Sequence, residues 1–331
     1  MRRVAVVGAG MTAFGEHFAL GLKDLLPMAF AECAARVDKG VNTSEIDAAW
    51  FGAMGTPDGF PAGILADSFG LPDLPVTRIE NSCATGNDTV RNALYGVASG
   101  AADVALVMGA VKNHRHGLSN PKARLRFEIT LEEVLAAPTV VTPFGVYDCA
   151  PQSDGAAALL LAAEDVVDRF TDRPVWIRGV GLGLDSVMHQ HKADLTTFPA
   201  TVRAAKRAFS MANLTPADID VAEVHDFFTG IELISYEDLG FAEHAEAYKL
   251  MEAEVTCVGG ALPVNPSGGL KAKGHPPGAT GVAQCVELFE QLRGEANNQV
   301  DGARIGLAHN IGGPTAVAAV TILEGPGADG K

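Results

Sequence analysis

Short apolar runs and amphipathic stretches follow one another along this chain in regular alternation. Val4-Ala5-Val6-Val7 reads as a strand, and a helical pattern begins near Leu22. Trp50-Phe51-Gly52 closes a second strand, and Val76-Thr77-Arg78-Ile79 forms a third. Over residues 87–99 the apolar positions Val90, Ala93, Leu94 and Val97 share one helical face, and residues 103–109 return to strand character. Residues 156–163 are continuously apolar, as a strand buried on both faces should be. A strand over 221–229 runs into His225, a helix covers 282–292, and 304–308 is a closing strand. The alternation predicts an α/β fold with mainly parallel sheets covered by helices.

The pattern also repeats. Ser44-Glu45-Ile46-Asp47-Ala48-Ala49 recurs in outline as Ala217-Asp218-Ile219-Asp220-Val221-Ala222, each preceded by a helical segment and followed by a strand-like run. Later in each part come a turn bearing a reactive residue, a helix and a closing strand. Two similar α/β halves are expected.

Composition narrows the class. With 331 residues, 47% hydrophobic and 20% charged, the chain can bury a large core. Its 25 basic and 40 acidic residues leave a formal charge of −15, which argues against nucleic acid or an anionic membrane as main partner. The five cysteines show neither C-x-x-C nor a disulfide rhythm, so a reducing, cytoplasmic setting is expected. Gly8 and Gly10 cut short the apolar run after Arg2-Arg3, which disfavours a signal peptide, and no apolar stretch reaches membrane-spanning length.

Candidate chemistry collects at the joints between elements. Cys83, in Glu80-Asn81-Ser82-Cys83-Ala84-Thr85-Gly86, stands between a strand and a helix. There the unpaired N–H groups and positive dipole end of the helix would favour thiolate over thiol. A buried cysteine packed as a small hydrophobe is the alternative. His225 ends a strand, where α/β folds place functional groups, although a lone histidine there is often structural. The glycine-rich stretch 265–281 holds Ser267, Gly268 and His275 and leads into a helix. His309-Asn310-Ile311-Gly312-Gly313 ends a strand in a turn that could expose backbone N–H groups to an oxyanion. Gly8-Ala9-Gly10-Met11-Thr12-Ala13 fits a dinucleotide fingerprint, but the helix starts too late and no acidic residue follows the second strand. His189 and His191, or His114 and His116, lack a further ligand at metal-site spacing, so no metal is expected.

Taken together, Asn81-Ser82-Cys83-Ala84-Thr85-Gly86, His225-Asp226-Phe227-Phe228, the stretch 265–281 and His309-Asn310-Ile311-Gly312-Gly313 resemble the four active-site loops of the thiolase superfamily. The chain is most similar to the sterol-carrier-protein-associated and archaeal branch, which has His-Asp where other thiolases have Asn-Glu. Asn120-Pro121-Lys122-Ala123 and Ser153-Asp154-Gly155-Ala156-Ala157 resemble that branch too.

The resemblance implies two pseudo-symmetric βαβαβαββ halves, residues 1–170 and 171–331, in a five-layered αβαβα arrangement. It implies acyl transfer from a coenzyme A thioester to Cys83, with His275 as base and His225 holding a water or a thioester oxygen. The N–H groups of Cys83 and Gly312 would form the oxyanion site, while Ser267, Gly268, Asn310 and Phe227 would line the substrate. No bound cofactor is implied, only an acyl-CoA substrate, and a homodimer or higher homo-oligomer is expected. Two departures qualify this. Asn310 and Phe227 occupy positions where the family offers a second cysteine, leaving His309 as substitute proton carrier. Val107-Met108-Gly109-Ala110 runs almost directly into Val111-Lys112-Asn113-His114, so the loop domain around 111–150 is shortened. The competing functions are a retro-aldolase or C–C lyase subunit working with a small OB-fold partner, and a non-catalytic scaffold.

Overall fold

The computed structural model describes residues 2–54, 60–111 and 130–327. The first half runs β1 (Val4–Met11), α1 (Leu22–Ala35), β2 (Ala48–Ala53), α2 (Pro61–Ser68), β3 (Val76–Ile79), α3 (Thr85–Ala98) and β4 (Val104–Val111). A short helix α4 (Leu131–Ala136) and a hairpin of β5 (Thr139–Val141) and β6 (Phe144–Gly145) then lead to β7 (Gly155–Ala163). The second half holds β8 (Val175–Leu184), α5 (Pro199–Ala212), β9 (Val221–Glu223), α6 (Thr229–Asp238), α7 (Ala247–Glu252), α8 (Gly269–Lys273), α9 (Pro277–Arg293), β10 (Ile305–Gly312) and β11 (Val317–Glu324). The third strand of this half has shrunk to one parallel bridge between Ala222 and Val264.

Among the described residues the strands form a nine-stranded sheet in the order β3-β2-β4-β7-β1-β8-β11-β10-β9. Only β2–β3, β2–β4 and β9–β10 pair in parallel, and the remaining pairs are antiparallel. The expectation of mainly parallel sheets is thus corrected. In the second half a tight turn joins β10 to β11, which therefore pair antiparallel, and the closing strands of the first half, β4 and β7, pair antiparallel too. The two halves join edge to edge where Ala5 and Val6 meet Trp176 and Val175.

Three apolar cores separate the layers. Leu25, Leu26 and Ala29 of α1 pack with Ala5 and Val7 of β1 on the outer side of the first half, and Ala204 and Ala208 of α5 pack with Val320 and Ile322 of β11 on that of the second. Between them, Val90 and Val97 of α3 meet Val282, Val286 and Phe289 of α9 together with strands of both halves. Helices, strands, α3 with α9, strands and helices therefore stack as five layers. The two central helices cross where neither carries a side chain. A β-carbon on Gly86 would lie 2.6 Å from the Gly281 nitrogen, and one on Gly281 would lie 2.3 Å from the Asn87 nitrogen.

The sequence repeat has a structural cause. The Asp47 carboxylate accepts the N–H groups of Asp103 and Val104, both at 2.9 Å, at the start of β4. Asp220 accepts those of Arg304 and Ile305, at 2.8 and 2.9 Å, at the start of β10. Each Ile-Asp pair ties the entry of one strand to the start of its neighbour, satisfying N–H groups that the ladder leaves open.

His114, His116 and Asn120-Pro121-Lys122-Ala123 lie outside the described residues. Among those described, no group of side chains has the composition of a metal site, and no helix is long and apolar enough to cross a membrane.

Candidate active site

Cys83 sits at the tip of a tight turn between β3 and α3, immediately before the α3 cap residue Ala84. Ser82 adopts the left-handed region, φ 52°, a conformation that costs a non-glycine residue about 1–2 kcal/mol. Hydrogen bonds hold it there. Thr85 Oγ1 accepts the Asn81 N–H at 2.8 Å and donates to the Ser82 carbonyl at 2.5 Å, and Ser82 Oγ accepts the Gly313 N–H at 3.0 Å. The Cys83 sulfur faces its own N–H, that of Gly313 and the Ser82 hydroxyl. Burial outweighs these donors, and the thiol titrates above its ordinary range. The expected resting thiolate is corrected: the Ser82 hydroxyl and the N–H groups of Gly313 and Cys83 soften the desolvation without reversing it.

His275 occupies the matching place in the second half, immediately before the α9 cap residue Pro276. Its Nδ1 lies 2.7 Å from Thr280 Oγ1, its backbone N–H donates to Pro151 O at 2.8 Å, and its Nε2 is buried with no hydrogen-bond partner among the described residues. Burial lowers its pKa to about 3. His225, two residues beyond β9, places Nδ1 3.0 Å from Asn310 Nδ2. Its pKa falls well below the ordinary value, through burial first and then through His275 and His309. The two rings meet edge to face with centroids 5.0 Å apart. Both imidazoles are therefore neutral at pH 7.

Strand β10 touches both His225 and the Cys83 turn. Its residues alternate in direction, so Asn310 and Gly312 share a face. Asn310 reaches His225, and the position a β-carbon on Gly312 would take lies 2.8 Å from the nitrogens of both Cys83 and Ala84. Any side chain at 312 would collide with the start of α3.

His309 points the other way. It is fully buried among Ile305, Leu307 and Ile311 on the outer face of the sheet, with Nε2 3.0 Å from Thr201 Oγ1 on α5. Its ring is turned away from the cluster towards Thr201, though it lies close enough to lower the His225 pKa. Phe227 does join: its ring centroid lies 4.9 Å from that of His275 and 4.5 Å from that of Phe228. Ser267 instead donates to Glu223 Oε2 at 2.7 Å, and Gly268, φ 92°, opens α8. Asp226 accepts the Leu270 and Lys271 N–H groups at 2.7 and 3.3 Å, anchoring the glycine-rich loop. The sequence reading missed Thr280 and this role of Asp226. A hydroxyl residue in the first turn of the helix after His275 was the available signal for the former.

Residues 4–126 match the family "Thiolase, N-terminal domain" and residues 181–325 match "Thiolase C-terminal domain-like". An acetyl-CoA acetyltransferase of Methanothermobacter thermautotrophicus is 36% identical, with 98% of this chain and 100% of that protein covered. That alignment spans 384 positions, more than the 331 residues here, so the relative carries residues with no counterpart in this chain. Human sterol carrier protein 2 is 30% identical over 94% of this chain and 70% of its own length. Among solved structures, an "Ltp2-ChsH2(DUF35) aldolase" superposes with a TM-score of 0.85 at 22% identity, covering 98% of each chain.

Proposed function

This chain belongs to the thiolase family and is an acyltransferase, and on that premise we propose that it transfers an acyl group from a coenzyme A thioester through Cys83. The observation that carries the reading is the buried Nε2 of His275, unpartnered among the described residues, beside His225, whose partner Asn310 lies on the strand β10 that ends against the Cys83 backbone. The thiol attacks the thioester carbonyl while its proton passes to His275 Nε2. The carbon–sulfur bond to coenzyme A then breaks, and the departing thiolate takes that proton. The N–H groups of Cys83 and Gly312 hold the oxyanion, and His225 faces the thioester oxygen. Residues 1–170 and 171–331 act as two halves of one catalytic unit, and the chain works as a homodimer or higher homo-oligomer in the cytoplasm with no bound cofactor.

Claisen condensation or thiolysis of a 3-oxoacyl-CoA also needs a proton carrier beside the enolate carbon. Phe227 and Asn310 cannot move protons, and His309 lies across the sheet. Acylation should therefore outpace carbon–carbon chemistry by the roughly 10² to 10⁴ that a proton-transfer group contributes. Intact mass spectra after acetyl-CoA treatment should show one adduct, absent in Cys83→Ser. An adduct on Cys149 or Cys257 would sink the reading. Thiolysis of acetoacetyl-CoA should rise in Phe227→Cys; full thiolysis by the unmodified chain would remove the argument from the missing cysteine. The lyase alternative predicts no adduct, and cleavage of a 3-hydroxyacyl-CoA only with an OB-fold partner.

A further inference from the structure

We propose that Thr280 and Asn310 are positioning residues that hold the two active-site imidazoles in opposite tautomers, His275 presenting a lone pair at Nε2 and His225 an N–H at Nε2. The inference rests on the acyl-transfer reading for its use, and on hydrogen-bond accounting for its content.

Thr280 has one hydroxyl proton, and the Pro276 carbonyl lies 3.1 Å from its oxygen. Donating there leaves a lone pair to accept Nδ1–H of His275 at 2.7 Å. The reverse arrangement would put the proton on Nε2, which is buried without a partner. An orphaned buried donor is the rarer and costlier state, because an acceptor tolerates partial solvation by C–H groups. Both considerations place the His275 proton on Nδ1.

The Asn310 amide answers the same question for His225. One end of it lies 3.0 Å from His225 Nδ1. The other, Oδ1, has no hydrogen-bond partner among the described residues and lies 2.4 Å from where a β-carbon on Gly281 would stand. A Cα–H bond of Gly281 therefore points at this end of the amide. Oxygen accepts such a contact; an NH₂ group turned there would set its hydrogens against the Gly281 hydrogen. The amide thus offers Nδ2–H to Nδ1, which accepts, and the His225 proton resides on Nε2. His275 can then take the thiol proton while Nδ1–H stays on Thr280, and His225 can donate to the thioester oxygen. Neighbouring imidazoles with similar burial acquire different roles from one hydroxyl and one amide.

Side-chain ¹⁵N spectra of the unreacted protein at pH 7 test this directly. His275 should show a pyrrole-type Nδ1 and pyridine-type Nε2, and His225 the reverse. In Thr280→Val the His275 pattern should shift towards a mixture, and single-turnover acylation should fall about 10²-fold at unchanged acyl-CoA affinity. Thr280→Ser should restore both. Asn310→Asp, whose carboxylate accepts Nδ1–H, should move the His225 proton to Nδ1 and slow acylation by a similar factor. The same tautomer in both rings, an imidazolium at either, or an unchanged His275 pattern in Thr280→Val would overturn the proposal. Opposite tautomers in a protein that forms no acyl adduct would uphold it and reject the acyl-transfer reading instead.

Discussion

At the residue scale, burial decides protonation. His309 titrates at about 3 in the fold, against the ordinary 6.5. A depressed histidine contributes stability that is present above 6.5 and lost as the pH falls towards 3, because the unfolded chain binds the proton first. His309→Gln keeps a hydrogen-bonding group for Thr201 and removes the titration. Urea unfolding should show the unmodified protein losing about 2 kcal/mol more than the variant between pH 7 and pH 5. Acylation of Cys83 should be the same in both. A pH-independent difference would show that His309 is not neutral and desolvated in the fold, and slowed acylation would return it to the site. The comparison isolates one group, which matters because burial also raises Asp226 and Glu287 to about 7, and those carboxyls weaken the fold in the opposite sense as the pH rises.

At the element scale, the site depends on two helices that begin at equivalent places. Cys83 and His275 each precede the cap of a central helix, and the helices approach closely because Gly86 and Gly281 leave room. Gly281→Ala would drive a methyl to within 2.4 Å of Asn310 Oδ1 and 2.3 Å of the Asn87 nitrogen. Overpacking against backbone should cost about 3 kcal/mol and, by displacing Asn310 from His225, slow acylation. Gly63→Ala in α2, where the nearest atom to an added β-carbon is 3.9 Å away, should instead stabilise by roughly 0.5–1 kcal/mol. Thermal unfolding of the two variants checks both signs. Equal shifts would mean that the helix crossing relaxes freely.

At the scale of the whole molecule, neither half encloses its own core. Val90, Leu94 and Val97 of α3 are covered by α9, and β1 finds a second neighbour only in β8. Ion pairs at the far end of α9 add cross-links, with Glu290 2.5 Å from Arg36 and Arg293 2.5 Å from Asp38. Residues 1–170 expressed alone should therefore expose an apolar helix face, bind a hydrophobic dye and show little protection of α3 amides from exchange. Native-like protection in the isolated fragment would overturn this. β3, paired among the described residues only with β2, leaves a sheet edge for the proposed dimer, and monomers at micromolar concentration in sedimentation would rule that out.

Strand and helix periodicity, the repeat built on Asp47 and Asp220, and the cysteine at a strand-to-helix turn were all legible in the sequence, because each is set by neighbours along the chain. So were the candidate residues Cys83, His225 and His275, which sit in loops whose glycines and hydroxyls mark local turns. What the tertiary structure alone decided were orientation and environment. Adjacent strand residues point to opposite faces, and only the packing of α5 and α9 shows that Asn310 faces His225 while His309 faces Thr201. Only burial shows that the Cys83 thiol stays protonated despite its helix terminus. The direction in which strands pair depends on how the chain returns to the sheet, and hydrogen-bond partners such as Thr280 and Asn310 are met through space. Local pattern follows from covalent order, whereas desolvation and facing depend on atoms that folding brings from elsewhere in the chain.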